Sequence, residues 1–154
     1  MITIERTRTI DAPAEAAWTV LADFDRLADW ADNADHTCWL DDPRPDGDMI
    51  GRARRVQAGK MVLIETITVW DPPTRLAYTL TGLPPVVKSV VNEWRLAPDP
   101  DDEARILVTL ASHVDCGPRP PQQLIARAVG RRLGAASDTM LTGLERFLAA
   151  GTAR

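Results

Sequence analysis

The chain has 154 residues, 45% of them hydrophobic and 26% charged, ordinary values for one globular domain spanning residues 1–154. A formal net charge of -4 gives bulk electrostatics no preference for nucleic acid or anionic membrane, and no apolar run approaches the ~18 residues a membrane-spanning helix needs. The two cysteines, Cys38 and Cys116, make neither a disulfide framework nor a zinc site, and the N-terminus lacks a signal-like apolar core; a cytoplasmic location is the expectation.

Residues 2–10 alternate Ile2 and Ile4 against Thr3, Thr7 and Thr9, the pattern of a strand. Pro13 then suits the first position of a short helix, with Glu15 in its positive first turn and Ala14, Trp18 and Leu21 as its apolar stripe. A second short helix is expected over 24–31, burying Phe24, Leu27 and Trp30. From about 35 to 116 the sequence reads as strands near 35–41, 49–58, 60–71, 74–82, 86–97 and 103–115. They are separated by PRPDGD, AG, DPP, GLPP and PDPDD, all strong turn signals. Hairpin spacing makes the sheet antiparallel. One long helix should follow to about Ala149, about 45 Å at 1.5 Å per residue. Ile125, Val129, Leu133, Ala136, Met140, Leu144 and Phe147 recur along it at spacings of three and four. Gly130 and Gly134 inside it either mark a bend or admit a close neighbour. A twisted antiparallel sheet wrapped around one long helix leaves room for a cavity between them.

These residues resemble a known family. "IDAPAEAAWTVLADFDRLADW" (residues 10–30), the features Gly51, Arg54, Gly59, Glu65, Asp71-Pro72, Tyr78 and Gly82, and the long terminal helix resemble the START-like, helix-grip (SRPBCC, Bet v 1-like) superfamily, within it the polyketide cyclase/dehydrase-like branch. The resemblance covers nearly the whole chain. It implies an α+β helix-grip fold: a curved seven-stranded antiparallel sheet around a long C-terminal helix, with two short helices between strands 1 and 2. It also implies a hydrophobic ligand and no cofactor. The hormone receptors of the superfamily close their pocket with a longer loop between strands 3 and 4 than this chain has. Gly82-Leu83-Pro84-Pro85 is the better pocket lip here.

The strand KMVLIETITVW (60–70) places Glu65 in register with Met61, Leu63, Ile67 and Val69, opposite Val62, Ile64, Thr66, Thr68 and Trp70. With Ala58-Gly59 as a two-residue turn, Gln57 pairs with Lys60, Val56 faces Met61, Arg54 faces Leu63 and Arg52 faces Glu65, leaving Arg54 diagonal to the carboxylate. Either Glu65 makes a structural ion pair, or it and an arginine are the polar anchors of an apolar pocket. Candidate ligand contacts are Arg52, Arg54, Leu63, Glu65, Ile67, Tyr78, Leu80, Asn92, Trp94, Leu110, Ser112 and Met140. Candidate catalytic groups, should the protein be an enzyme, are Glu65, Tyr78 and Arg54; there is no metal-ligand cluster, nucleophile elbow or phosphate loop. His113 should face solvent, His36 is a weaker candidate for the pocket, and the five tryptophans read as core.

The functional expectation is binding of a lipid-like, aromatic polyketide or isoprenoid molecule. The rivals are a cofactor-independent cyclase, aromatase or dehydratase, and a partner-binding or chaperone-like role. The sequence gives no indication of oligomeric state.

Overall fold

The computed structural model describes residues 1–42 and 45–152; Pro43 and Arg44, within the PRPDGD break, lie outside the described residues. Strand β1 (Ile2–Ile10) leads to α1 (Ala14–Ala22) and a 3-10 helix (Phe24–Asp29). Six strands follow: β2 (His36–Trp39), β3 (Ala53–Ala58), β4 (Met61–Asp71), β5 (Arg75–Thr81), β6 (Ser89–Asp99) and β7 (Asp102–Asp115). The chain then enters α2 (Pro120–Thr152). All strand pairs are antiparallel, in the order β1-β7-β6-β5-β4-β3-β2. This is the helix-grip arrangement.

Consecutive hairpins explain the run β2 to β7; only β1 pairs out of sequence, with β7. The two short helices carry the chain from one sheet edge to the other. Pro13 caps α1 rather than opening it: its carbonyl accepts the amides of Ala16 and Ala17. The second short helix is tighter and shorter than expected, a 3-10 segment with a non-helical residue at Arg26.

Helix α2 packs along β1 and β7, while the 3-10 helix covers β2 and β3. The stripe expected on α2 faces the core through Val129, Leu133, Ala136, Met140 and Leu144, but not at its two ends. Phe147 is 44% exposed and Ile125 37%, whereas Ala126, Met140, Leu141, Leu144 and Leu148 are buried. The reason is close approach. A Cβ on Gly130 would stand 3.0 Å from the Ile4 side chain, and one on Gly143 would stand closer still to the Trp30 carbonyl. Small residues mark the contact face, so a reading by large apolar side chains errs at the two ends of the helix, at Ile125 and Phe147. Gly130 and Gly134 therefore admit close neighbours, the Ile4 and Arg6 side chains.

A bulge between Ile67 and Val69 alters the face pattern of β4. Ile67 opposes Tyr78 before it, and Trp70 opposes Leu76 after it. Trp70, expected on the outer face with Thr68, thereby joins the inner one and meets Trp18 edge-on, ring centroids 5.2 Å apart.

Candidate functional site

The β3–β4 hairpin turns on Gly59-Lys60, with Ala58 paired to Met61. A turn on Ala58-Gly59 would require a positive φ at Ala58 in either favoured hairpin type, whereas here only Gly59 takes one, +61°. The register is displaced by two residues from the sequence expectation, so the face is kept and the partners change. Val56 pairs with Leu63 and Arg54 with Glu65. Arg52, expected to hold Glu65, instead accepts the Ile67 amide through its carbonyl and donates its own amide to the Met49 carbonyl. Its guanidinium lies 3.8 Å from the centroid of the Trp39 ring and its Nε is 3.7 Å from Asp41 Oδ1.

Arg54 and Glu65 are 3% and 5% exposed, on the concave face. Arg54 Nε donates to Glu65 Oε1 at 2.7 Å, and Nη2 stands 2.6 Å from the same oxygen. Arg54 Nη1 donates to the Phe24 carbonyl at 2.7 Å. The guanidinium carbon lies 3.6 Å from the centroid of Phe24 and 4.9 Å from that of Tyr78, so the cation rests against two rings that also meet edge-on. The buried charges are thus paired, hydrogen-bonded and stacked, as burial of an ion pair demands. Both arginine contacts fall on Oε1; Glu65 Oε2 accepts no hydrogen bond among the described residues.

A second polar run crosses the same face along paired positions of β5, β6 and β7: Tyr78, Asn92 and Ser112. Trp94 Nε1 donates to the Tyr78 hydroxyl at 3.3 Å, and Ser112 Oγ donates to Asn92 Oδ1 at 2.7 Å. Burial pushes the Tyr78 phenol above its ordinary value, and the Glu65 charge pushes the same way, against Arg54 and the hydrogen bonds from Trp94 and Asn92. At neutral pH Tyr78 is therefore a phenol that offers a proton.

The expected site residues Leu63, Ile67, Leu80, Trp94 and Leu110 share this face, with Leu63 half-buried and the others buried, and Met140 is buried on α2. Arg52 belongs to a separate cluster with Trp39 and Asp41. His36 is exposed and borders a surface cleft with Asp25 and Asp35; His113 bonds Thr3 Oγ1 through Nδ1 at 2.9 Å. Phe24, read from sequence only as core, supplies both a ring and a carbonyl to Arg54; its backbone contribution left no side-chain signal to find. The tryptophans pair within the core, Trp30 with Trp94 and Trp18 with Trp70, while Trp39 stacks on Phe24.

Among the clefts of the described residues, five of about 150–430 Å³ lie away from Arg54, Glu65, Tyr78, Asn92 and Ser112. Side chains themselves, Phe24, Tyr78 and Trp94 foremost, occupy the space between sheet and helix where the sequence led us to expect a cavity. Residues 1–148 match the profile of a family described as polyketide cyclase / dehydrase and lipid transport. The chain belongs to that family. No curated protein sequence matches. Among solved structures, it is similar to the Zhui aromatase/cyclase from Streptomyces sp. R1128 (19% identity, TM-score 0.76, 96% of this chain and 93% of that one). It is also similar to a START superfamily protein from Mycobacterium smegmatis (15%, TM-score 0.71, 95% and 98%). The di-domain aromatase/cyclase StfQ of the steffimycin pathway matches at 12% identity and TM-score 0.78, over 99% of this chain and 52% of that one. At such identities the likeness is one of fold. Family members of this fold differ in chemistry, so the buried polar groups must carry the functional argument.

Proposed function

We propose that the protein binds a hydrophobic small molecule, lipid-like, aromatic polyketide or isoprenoid, between the concave sheet face and α2, with Arg54, Glu65 and Tyr78 as its polar contacts. The observation that carries this reading is a cluster of polar side chains on an otherwise apolar face: Arg54, Glu65 and Tyr78 are buried together, and both arginine contacts fall on Glu65 Oε1, leaving Oε2 to accept from a ligand. A ligand hydroxyl would satisfy it, and the Tyr78 phenol would hydrogen-bond a ligand carbonyl. Because side chains fill the interior, entry requires displacement of Phe24 with the 3-10 helix, or of the 82–88 connection. An apolar fluorescent probe should bind one equivalent of native protein and be displaced by lipid-like or aromatic compounds, with native mass spectrometry detecting any co-purified ligand. Failure of both would sink the proposal and favour the partner-binding reading, which the filled interior already suits.

One feature favours a catalytic variant of the same proposal: an acid, a base and a cation lie together. Glu65 would take a proton from a carbon beside a carbonyl, Tyr78 would hydrogen-bond the carbonyl oxygen, and Arg54 would stabilise the enolate charge, as in a cyclisation that later loses water. Glu65→Gln should then retain ligand binding while turnover collapses. Equal loss of binding in that variant would leave Glu65 as an anchor only.

A further inference from the structure

The net charge of -4 conceals a strong segregation. The topology gathers the N-terminus of β1, the β3–β4 hairpin tip, the β5–β6 connection and the entry to α2 at one end of the sheet. Backbone contacts tie these tips together: Lys88 N donates to the Asp115 carbonyl, and a Cβ on Gly82 would meet the Val62 carbonyl. The only two lysines of the chain, Lys60 and Lys88, sit here, with Arg119 and Arg127 on the approach to α2 and its first turns. Of the acids at this end, Asp35 and Asp115 are each engaged by a backbone amide, of Gly59 and Gly117, and Asp29 pairs with Arg26; Asp25 borders the same cleft as Asp35. The positive end of the α2 dipole points the same way.

The opposite end is acidic. The connection from β2 to β3 carries Asp41, Asp42, Asp46 and Asp48, and the β6–β7 turn region carries Asp99, Asp101, Asp102 and Glu103. The 14-residue strand β7 separates the two ends by roughly 45 Å. That is several times the ~8 Å screening length at physiological salt, so a surface approaching the basic end does not feel the acidic one.

Apolar exposure is segregated with the charge. Of nine exposed large hydrophobic residues among the described residues, six stand at the basic end: Met1, Met61, Val62, Val86, Leu124 and Ile125. Val86 is 52% and Leu124 64% exposed. They project from separate tips rather than lining one groove, and lysines or arginines flank them. Separate apolar tips ringed by cations fit a deformable anionic surface better than a rigid protein partner.

We propose that this end of the molecule docks reversibly on an anionic lipid membrane, with Val86, Leu124 and the hairpin tip entering the headgroup boundary and Lys60, Lys88, Arg119 and Arg127 facing the lipid phosphates. The membrane lies against the end at which half-buried Leu63, Leu83 and Val87 lead towards the apolar interior. The docking stands on surface residues alone and does not require the interior ligand.

Co-sedimentation of the full chain with vesicles tests it. Vesicles of equal parts phosphatidylcholine and phosphatidylglycerol should bind the protein, pure phosphatidylcholine vesicles should not, and binding should weaken as salt rises. Lys60→Ala with Lys88→Ala should weaken binding about thirtyfold, at roughly fivefold per basic residue near a charged membrane. Val86→Asp with Leu124→Asp should abolish it at unchanged melting temperature, because both side chains are exposed. Phe147→Asp, exposed at the other end of α2, should bind as wild type; vesicle binding reads surface residues only, which keeps this test separate from the interior one. No binding to anionic vesicles at low salt overturns the proposal, as does indifference to the lysine pair. Capture of an acidic carrier protein by this end, without vesicle binding, would equally overturn it.

Discussion

Arg54 and Glu65 hold each other in a place where neither would be tolerated alone. Glu65→Ala should cost about 3–5 kcal/mol by stranding the guanidinium. Arg54→Ala should cost more, because it strands the carboxylate and also leaves the Phe24 carbonyl without its donor. Replacing both, as Arg54→Met with Glu65→Leu, should recover most of the loss, since well-packed apolar substitutes often match a buried pair. Denaturant unfolding of the three variants checks the order; a double variant no better than the worse single one would mean the pair is not the unit. Tyr78 offers a separate handle because it is the only tyrosine. Its raised phenol keeps its proton in the folded chain where the unfolded chain has lost it. Stability is therefore unaffected below the ordinary value of 10.0 and falls as pH rises above it. Phenolate absorbance should appear together with loss of ellipticity in an alkaline titration, and Tyr78→Phe should remove this contribution to alkaline unfolding. A phenolate signal that develops near pH 10 with the fold intact would contradict this burial.

Helix α2 is governed by how near its backbone comes to its neighbours. Gly143→Ala gains up to ~1 kcal/mol of helix propensity, yet its methyl would strike the Trp30 carbonyl, which is backbone and cannot swing aside. The net should be a destabilisation of about 1–3 kcal/mol, typical of overpacking. Gly134→Ala meets the end of the Arg6 side chain, which can move, and the Ile4 Cγ2 methyl at 3.1 Å, which must give by a few tenths of an ångström, so the helix-propensity gain is largely offset and the change should stay within about 1 kcal/mol of neutral. Leu144→Ala should cost about 2–5 kcal/mol as a core truncation, whereas Phe147→Ala should stay within about 0.5 kcal/mol. Thermal melts of the four variants decide; parity of Leu144→Ala and Phe147→Ala would contradict the observed face of the helix.

Across the whole molecule the two free thiols report different openings. Cys38 is half-buried on edge strand β2 and Cys116 is buried at the β7–α2 junction. An alkylating reagent should label Cys38 in the native protein, while labelling of Cys116 should track global unfolding. Simultaneous labelling of both under native conditions would show that the junction opens separately from the rest of the fold.

The sequence by itself determined the order of elements, the antiparallel hairpins and the face on which Glu65 sits. Period-2 alternation and turn residues act locally, and a displacement of two residues leaves a strand's face unchanged. The partner of Glu65 was legible too, though the Ala58-Gly59 turn misread it: only Gly59 tolerates the positive φ that the first residue of the β3–β4 turn requires. The sequence could not place Trp70 inside, since one bulged residue in β4 inverts the alternation beyond it. The buried side of α2 was decided by where glycines let β1 and Trp30 approach, a contact between segments more than a hundred residues apart. The same holds for the charge. Composition counts acids and bases without position, and only the folding of distant loops to opposite ends of the sheet made a chain of net charge -4 basic at one end.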